Sequence, residues 1–297
     1  MSGRVRAAPL AARRSGLGMQ TSKRVGRAVA YVVLSTGGLL MLSPFFWLIS
    51  SSLKAPHEIF SFPPQWIPDP VRWGNYVEVV TRLPFLLYTR NTLIVTVPAL
   101  VGQVTTASLA AYGFARLRFP GRDIAFGAIL ATIMLPAVVT LIPVYVMFRI
   151  LGWVGTYLPL IVPYWFGGGA FSIFLLRQFF LSIPVELEEA ALLDGAGYVT
   201  IFRRIVLPLS RPALIVVSIF SFLQHWNEFM LPLIYLSDYK SWTLALGVVS
   251  LKGFVSGRDT THLMMAMAAL MITPIIAIFF LAQRAFIQGI VLTGIKG

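Results

Sequence analysis

The 297-residue sequence contains no cysteine, so no disulfide, reactive thiolate or cysteine-ligated metal cluster is available to it. Acidic residues are scarce, 11 against 24 Lys and Arg. Charged residues of both signs make up 12% of the chain, about half the share usual in a soluble domain. The histidines His57, His225 and His262 lie far apart and never in the HExxH spacing that sets two metal ligands on one helical face. There is no GxxxxGK string followed by Ser or Thr to cradle a nucleotide phosphate, and no GxSxG elbow to raise a nucleophile. Gly167-Gly168-Gly169 lacks the lysine a phosphate loop needs and lies in an apolar run, where it reads as close helix packing. With these absences the residues offer no catalytic set and no cofactor or metal site. Any work against a gradient must draw its energy from another chain.

What is abundant is apolar. Hydrophobic residues make up 57% of the chain and are gathered into blocks rather than spread at the period of an amphipathic helix or strand. A bilayer core requires about 20 helical residues. Blocks of that length run at about Ala28 to Leu53, Thr92 to Phe114, Ile124 to Phe148, Tyr157 to Leu176, Ala213 to Leu236 and Leu263 to Arg284. The expected fold class is an all-α membrane protein with six transmembrane helices. Several prolines, among them Pro44, Pro98, Pro136, Pro143, Pro163, Pro232 and Pro274, predict kinked spans.

The net charge of +13 fits membrane orientation better than nucleic acid, because Lys and Arg gather in cytoplasmic segments. The tail carries Arg4, Arg6, Arg13, Arg14, Lys23, Arg24 and Arg27. The loop after the second block carries Arg116, Arg118 and Arg122; the loop after the fourth carries Arg177, Arg203, Arg204 and Arg211. Counting Arg284 and Lys296, about 16 of the 24 basic residues then lie inside, which puts both termini in the cytoplasm of a multi-pass inner-membrane protein. The first block is too long for a signal peptide and lacks a small-residue cleavage pattern, so it reads as an uncleaved span. The organisation expected is a basic cytoplasmic tail over 1–27, dispensable at its start with Met19 as an alternative first residue, a six-span transmembrane domain over 28–287, and a tail over 288–297. Outside, the proline-rich segment from Lys54 to Thr89 is expected to cap the outer mouth or to serve as a tether, with Trp66 and Trp73 at the interface.

One stretch breaks the pattern. Residues 188–208 read EEAALLDGAGYVTIFRRIVLP, polar and helix-forming amid the apolar blocks. Pro184 fits a first helical turn that Ser182 would cap, and Glu186, Glu188 and Glu189 complement its dipole. Gly195 and Gly197 offer the freedom that ends this helix. Ile201, Ile205 and Leu209 then recur at spacing four beside Phe202 and Val206, leaving Arg203 and Arg204 on the other face until Pro208 and Pro212 close the second helix. A helix-turn-helix hairpin over 182–211 is expected, too short and too charged to cross a bilayer.

Glu189-Ala190-Ala191, three residues, Gly195, nine residues, Ile205, one residue and Leu207-Pro208 match the EAA loop that marks permease subunits of ABC importers, which this chain therefore resembles. Arg90-Asn91-Thr92-Leu93, Ala110 to Arg116, Asp194-Gly195-Ala196, Trp226-Asn227-Glu228-Phe229 with Pro232-Leu233, Gln283 to Gly289 and the ending Gly294-Ile295-Lys296-Gly297 resemble the carbohydrate-uptake branch, in particular the MalG-like subunit of maltose permeases. The resemblance implies that the hairpin between spans four and five docks on a cytoplasmic ATPase. Glu189, Ala190, Ala191, Asp194, Gly195, Ile205, Leu207 and Pro208 are then its coupling residues. It also implies a second, MalF-like permease subunit, an ATPase pair that binds ATP and magnesium, an extracytoplasmic sugar-binding protein and surrounding lipid as partners.

In the fifth block, Gln224, Trp226, Asn227 and Glu228 put polar and stacking groups at membrane depth. They read either as a sugar pathway, with Trp226 or Phe222 stacking on ring faces, or as hydrogen bonds holding the bundle. The cargo expected is a mono- or oligosaccharide, the alternative a glycerol phosphate compound. Two other readings stand beside transport by an ABC importer: a self-contained transporter using Glu228 as a proton site, and an intramembrane enzyme, for which no nucleophile, base or metal set is present.

Overall fold

A computed structural model describes residues 14–254 and 259–294, and every described element is helical. Arg4, Arg6, Arg13, the choice of first residue and Ile295-Lys296-Gly297 lie outside the described residues. The long helices are α1 (Arg14–Ser52), α4 (Phe85–Arg116) and α16 (Thr261–Gly294). Between them lie α2 (Pro56–Ile59), α3 (Gly74–Arg82), α5 (Arg122–Ile133), α6 (Ala137–Ile150), α7 (Leu158–Ile161), α8 (Tyr164–Gly167), α9 (Ala170–Leu181), α10 (Glu186–Leu193), α11 (Tyr198–Ile201), α12 (Leu207–Leu209), α13 (Arg211–Trp226), α14 (Met230–Tyr235) and α15 (Leu244–Phe254).

Among the described residues, four helical stretches are long and apolar enough to cross a membrane: Arg24–Ser52, Phe85–Arg116, Leu158–Leu181 and Thr261–Gln283. Two more qualify only as bent pairs, Arg122–Ile133 with Val138–Ile150 at 102° and Tyr198–Leu209 with Arg211–Trp226 at 80°. The expected third and fifth spans are therefore not continuous helices. In the third, Pro136 sits in extended backbone and disfavours the helical conformation of the residue before it, so α5 stops and α6 restarts. In the fifth, α13 ends at Trp226 and α14 begins at Met230. Pro232 lacks the N–H that would bond the Glu228 carbonyl and its ring crowds that oxygen, which places the break there. Side chains at the break bond the local backbone: Asn227 Nδ2 donates to the Leu223 carbonyl at 2.9 Å beside the Asn227 N–H, and Glu228 Oε1 accepts the Leu231 N–H at 3.1 Å.

The central column is α4, against which α8, α9, α13 and α15 pack. Small residues make the approach close: Ala99, Ala107 and Ala111 are fully buried. Gly168, at φ +51 between α8 and α9, lies so near the Ala107 backbone that a Cβ would meet its nitrogen at 2.5 Å. The glycine triplet thus provides the expected packing, and it also interrupts the helix. α1 packs on α16, away from the column.

At the far end of α1, the proline-rich segment is knit to the helix rather than hung from it. Lys54 is fully buried, its ammonium 4.4 Å from the Trp47 ring centroid and donating to the Gln65 carbonyl. Asn75 Nδ2 donates to the carbonyls of Ser52 and Lys54, each at 2.9 Å, and Ser50 Oγ to that of Trp66 at 2.5 Å. Trp66 and Trp73 remain exposed.

Candidate functional site

The polar stretch folds as a helix-turn-helix. α10 ends in a Schellman turn: the Gly195 N–H bonds the Leu192 carbonyl at 3.0 Å, and the Ala196 N–H bonds the Ala191 carbonyl at 2.9 Å. Gly195 takes φ +81 to do so, a conformation natural only to glycine, whereas Gly197 is extended and uses no such freedom. Ser182 does not cap α10; its hydroxyl turns back to the Phe179 carbonyl at 2.7 Å, and the helix begins after Val185. In the second arm, Phe202–Val206 form a π turn between α11 and α12. The Leu207 N–H reaches the Phe202 carbonyl. Pro208 does not close this arm, which runs on to Leu209 and bends at Ser210.

Burial divides the expected coupling residues. Glu189, Ala190, Asp194, Gly195 and Pro208 are exposed, whereas Ala191, Ile205 and Leu207 are partly buried against the core. The inward face carries Ile201, Phe202 and Val206 into a cluster with Tyr112, Leu176, Phe180 and Ile183. Leu209, expected on that face, is exposed instead, because the π turn's extra residue rotates it outward. The outward face is apolar as well as acidic: Leu193 is 90% exposed and Val199 71%, with Leu192 and Tyr198 beside them.

One acid behaves differently from its neighbours. Glu188 points inward, its Oε1 2.8 Å from Arg116 Nε at the end of α4, with both side chains nearly enclosed. Burial pushes the Glu188 carboxyl above the ordinary glutamate range, with the Arg116 guanidinium pulling the other way. The same guanidinium donates from Nη2 to the carbonyls of Phe180 at 2.7 Å and Ile183 at 2.5 Å, closing the end of α9. Arg177 returns the tie from α9, donating to the Phe114 carbonyl at 3.2 Å with its guanidinium 4.2 Å from the Phe126 ring centroid. Arg116 and Arg177 enter the sequence reading as charges that set orientation, yet both join helix ends. Of the arginines expected on the same side, Arg118, Arg203, Arg204 and Arg211 are exposed.

A second group of polar side chains lies where α4, α8, α9 and α13 meet. His225 Nε2 is 2.8 Å from Gln103 Oε1, and Gln103 Nε2 donates to Ser172 Oγ at 3.3 Å. The Tyr164 ring stands edge-on to His225 at 4.3 Å, and its hydroxyl meets Gln224. Glu228 closes the row beside Tyr164, His225 and Thr243 around a cleft of about 10 Å³, room for one water and not for a sugar. Of the four residues expected along a pathway, Gln224 and Asn227 are exposed and Glu228 is half-buried. Trp226 is not available to a sugar: it is 3% exposed, stacked on Phe222, and donates its indole N–H to the Met271 carbonyl at 3.0 Å. Sequence reasoning missed Gln103, Ser172 and Tyr164, although an amide in the middle of the apolar run of α4 is itself a signal.

Residues 103–291 match the family model described as the binding-protein-dependent transport system inner membrane component. The chain is 31% identical over 264 residues to the diacetylchitobiose uptake system permease protein NgcG of Streptomyces coelicolor, spanning 89% of this chain and 87% of that one. It is 32% identical over 267 residues to the sn-glycerol-3-phosphate transport system permease protein UgpE of Yersinia enterocolitica, spanning 88% and 94%. Among solved structures, a bacterial ABC transporter involved in the import of the acidic polysaccharide alginate has the same fold, with a TM-score of 0.77 at 22% identity over 93% of this chain and 99% of that one.

Proposed function

Since the chain belongs to the family of binding-protein-dependent transport system inner membrane components, we propose that it is the spanning permease subunit of an ATP-driven importer whose cargo is a sugar. Six spans cross the inner membrane with both termini in the cytoplasm. The two bent pairs supply the third and fifth of them, α13 being the membrane part of the fifth, and about 16 of the 24 basic residues lie on the inner side. The hairpin over 182–211 hangs between the fourth and fifth spans and docks on a separate ATPase dimer, which binds the ATP and magnesium. A second, MalF-like permease subunit completes the pathway, and an extracytoplasmic binding protein delivers the cargo.

The observation that carries this reading is the two-faced hairpin. Its second arm is buried in the core with the ends of α4 and α9, while Glu189, Ala190, Asp194 and Gly195 face out beside exposed Leu192 and Leu193. A rigid attachment on one side and an acidic, apolar face on the other are what a lever requires. ATP binding draws the ATPases together, the hairpin moves with them, and the spans exchange one opening for the other; hydrolysis resets the cycle. The relative with a diacetylchitobiose uptake name supports a saccharide cargo, and the relative with a glycerol phosphate name supports the second reading.

The test is uptake by the complete complex in proteoliposomes, with labelled oligosaccharide and labelled glycerol 3-phosphate offered in parallel. Import of the saccharide that requires ATP and the binding protein is the expected result. Import that survives without nucleotide would overturn the ABC reading in favour of a self-contained transporter, and import of glycerol phosphate alone would replace the cargo.

A further inference from the structure

The geometry points to Glu188 and Arg116 as positioning residues that transmit the hairpin's movement to the spans, a role distinct from that of the exposed Glu189 beside them. This inference rests on the hairpin acting as a coupling lever. Within the EAA string the two acids are adjacent, yet a helix turns about 100° per residue, so they face different partners. Glu189 is exposed on the docking side, and Glu188 faces inward to Arg116 at 2.8 Å.

Three elements meet at that one guanidinium. Arg116 belongs to the last turn of α4; its Nε meets Glu188 on α10, and its Nη2 bonds the carbonyls of Phe180 and Ile183 at the end of α9. The chain between α9 and α10, 182–185, anchors only the start of α10, through Ile183 buried in the apolar cluster. The apolar cluster anchors the second arm through Ile201, Phe202 and Val206; of α10 only Ala191 packs against it. The first arm, which carries the docking face, is therefore tied to the spans chiefly through Glu188. The Nε–Oε1 contact is an enclosed ion pair rather than an aligned hydrogen bond, and attraction between two charges sealed from water holds α10 to the end of α4 more firmly than the sparse apolar packing of α10 does. Breaking it leaves a buried charge without its counterion and lets α10 swing independently of α4.

The absence of cysteine makes this measurable, because engineered cysteines at Arg118 and Leu187, both exposed and outside the docking residues, are the only labelling sites in the chain. In the assembled complex, spin labels on Arg118→Cys and Leu187→Cys report the distance from the end of α4 to α10. The distribution is expected to be narrow and unchanged between nucleotide-free and ATP-bound states, since the two ends move together. Adding Glu188→Ala is expected to broaden it at least twofold. In the same complex without labels, Glu188→Ala and Glu188→Gln should leave the amount of ATPase bound unchanged while the ATP hydrolysed per sugar imported rises about tenfold. A distance distribution that is the same with and without Glu188→Ala overturns the inference, whatever the cargo. So does uptake that falls only in proportion to assembled complex. Failure of the importer reading is read separately, from wild-type uptake without nucleotide.

Discussion

His225 on α13 and Gln103 on α4, separated by 122 residues in sequence, meet at 2.8 Å inside the bundle. Each is buried, and Gln103 passes the chain of bonds on to Ser172. Gln103→Leu would leave His225 and Ser172 without that partner, at a cost of about 1–3 kcal/mol for unsatisfied buried groups. The expected outcome is a lower melting temperature of the detergent-solubilised complex, with part of the loss recovered in Gln103→Leu combined with His225→Leu.

Gly195 offers a cleaner case, since a Cβ there meets no atom within 4 Å and the whole penalty is backbone strain at φ +81. Gly195→Val is expected to abolish sugar uptake while the protein still inserts, because a β-branched residue resists the left-handed turn. Gly195→Asn, which tolerates that conformation, should retain most uptake. Equal uptake in the two variants would mean that the turn's geometry is immaterial.

Glu189→Lys reverses a charge on the outward face without touching the buried pair. Uptake should be lost together with retention of the ATPase on co-purification, at normal membrane abundance. Glu188→Ala keeps the ATPase bound and Glu189→Lys does not, so the two adjacent positions separate docking from transmission.

Trp226→Ala removes a buried ring that fills space between α13 and α16, a loss of about 3–5 kcal/mol by analogy with other large-to-small core changes. Trp226→Phe keeps a ring beside Phe222 but loses the bond to the Met271 carbonyl and part of the buried ring volume, and should cost less than Trp226→Ala, about 1–3 kcal/mol, with cargo affinity unaltered. Glu228→Gln retains an acceptor for the Leu231 N–H and is expected to transport normally, whereas Glu228→Ala frees that end of α14 and slows uptake. Normal uptake in Glu228→Ala would remove Glu228 from the pathway.

The acidity of Glu188 gives a pH dependence with a defined sign. Burial raises its folded pKa above the ordinary glutamate value of 4.5, so the folded state holds its proton longer than the unfolded chain does. The contribution to stability is full below pH 4.5 and is lost as pH rises through the folded pKa. Relative to Glu188→Gln, wild-type protein should therefore gain in melting temperature as pH is lowered from 7 toward 4.5.

The parts of the molecule written in local terms were readable from sequence. Apolar blocks of spanning length gave the helices, and Gly195 declared the turn because few other residues can adopt it. The parts set by tertiary contact were not. Glu188 and Glu189 are identical letters, and only the direction of α10 against the end of α4 makes one an internal tie and the other a surface charge. Trp226 resembled a stacking platform until its neighbour on α16 was known, since an indole offers the same face to a ring of the protein as to a ring of a sugar. The breaks at Pro136 and Pro232 were within reach of the sequence, but a proline in a membrane helix is equally compatible with a kink.

The π turn at Phe202–Val206 explains why the string is counted as strictly as it is composed. Pro208 has no N–H to return to the Arg204 carbonyl, and the wide turn just before it takes in one residue more than an α-helical turn would. Everything beyond that turn is set in phase by the extra residue. Deleting any single residue between Gly195 and Ile205 would rotate Leu207 and the following helix by roughly 100° about the arm's axis. Chain length across those nine positions is thus a tighter constraint than side-chain identity: a substitution at Val199 or Thr200 changes a surface, whereas a one-residue deletion there turns the start of α13 to face the wrong way.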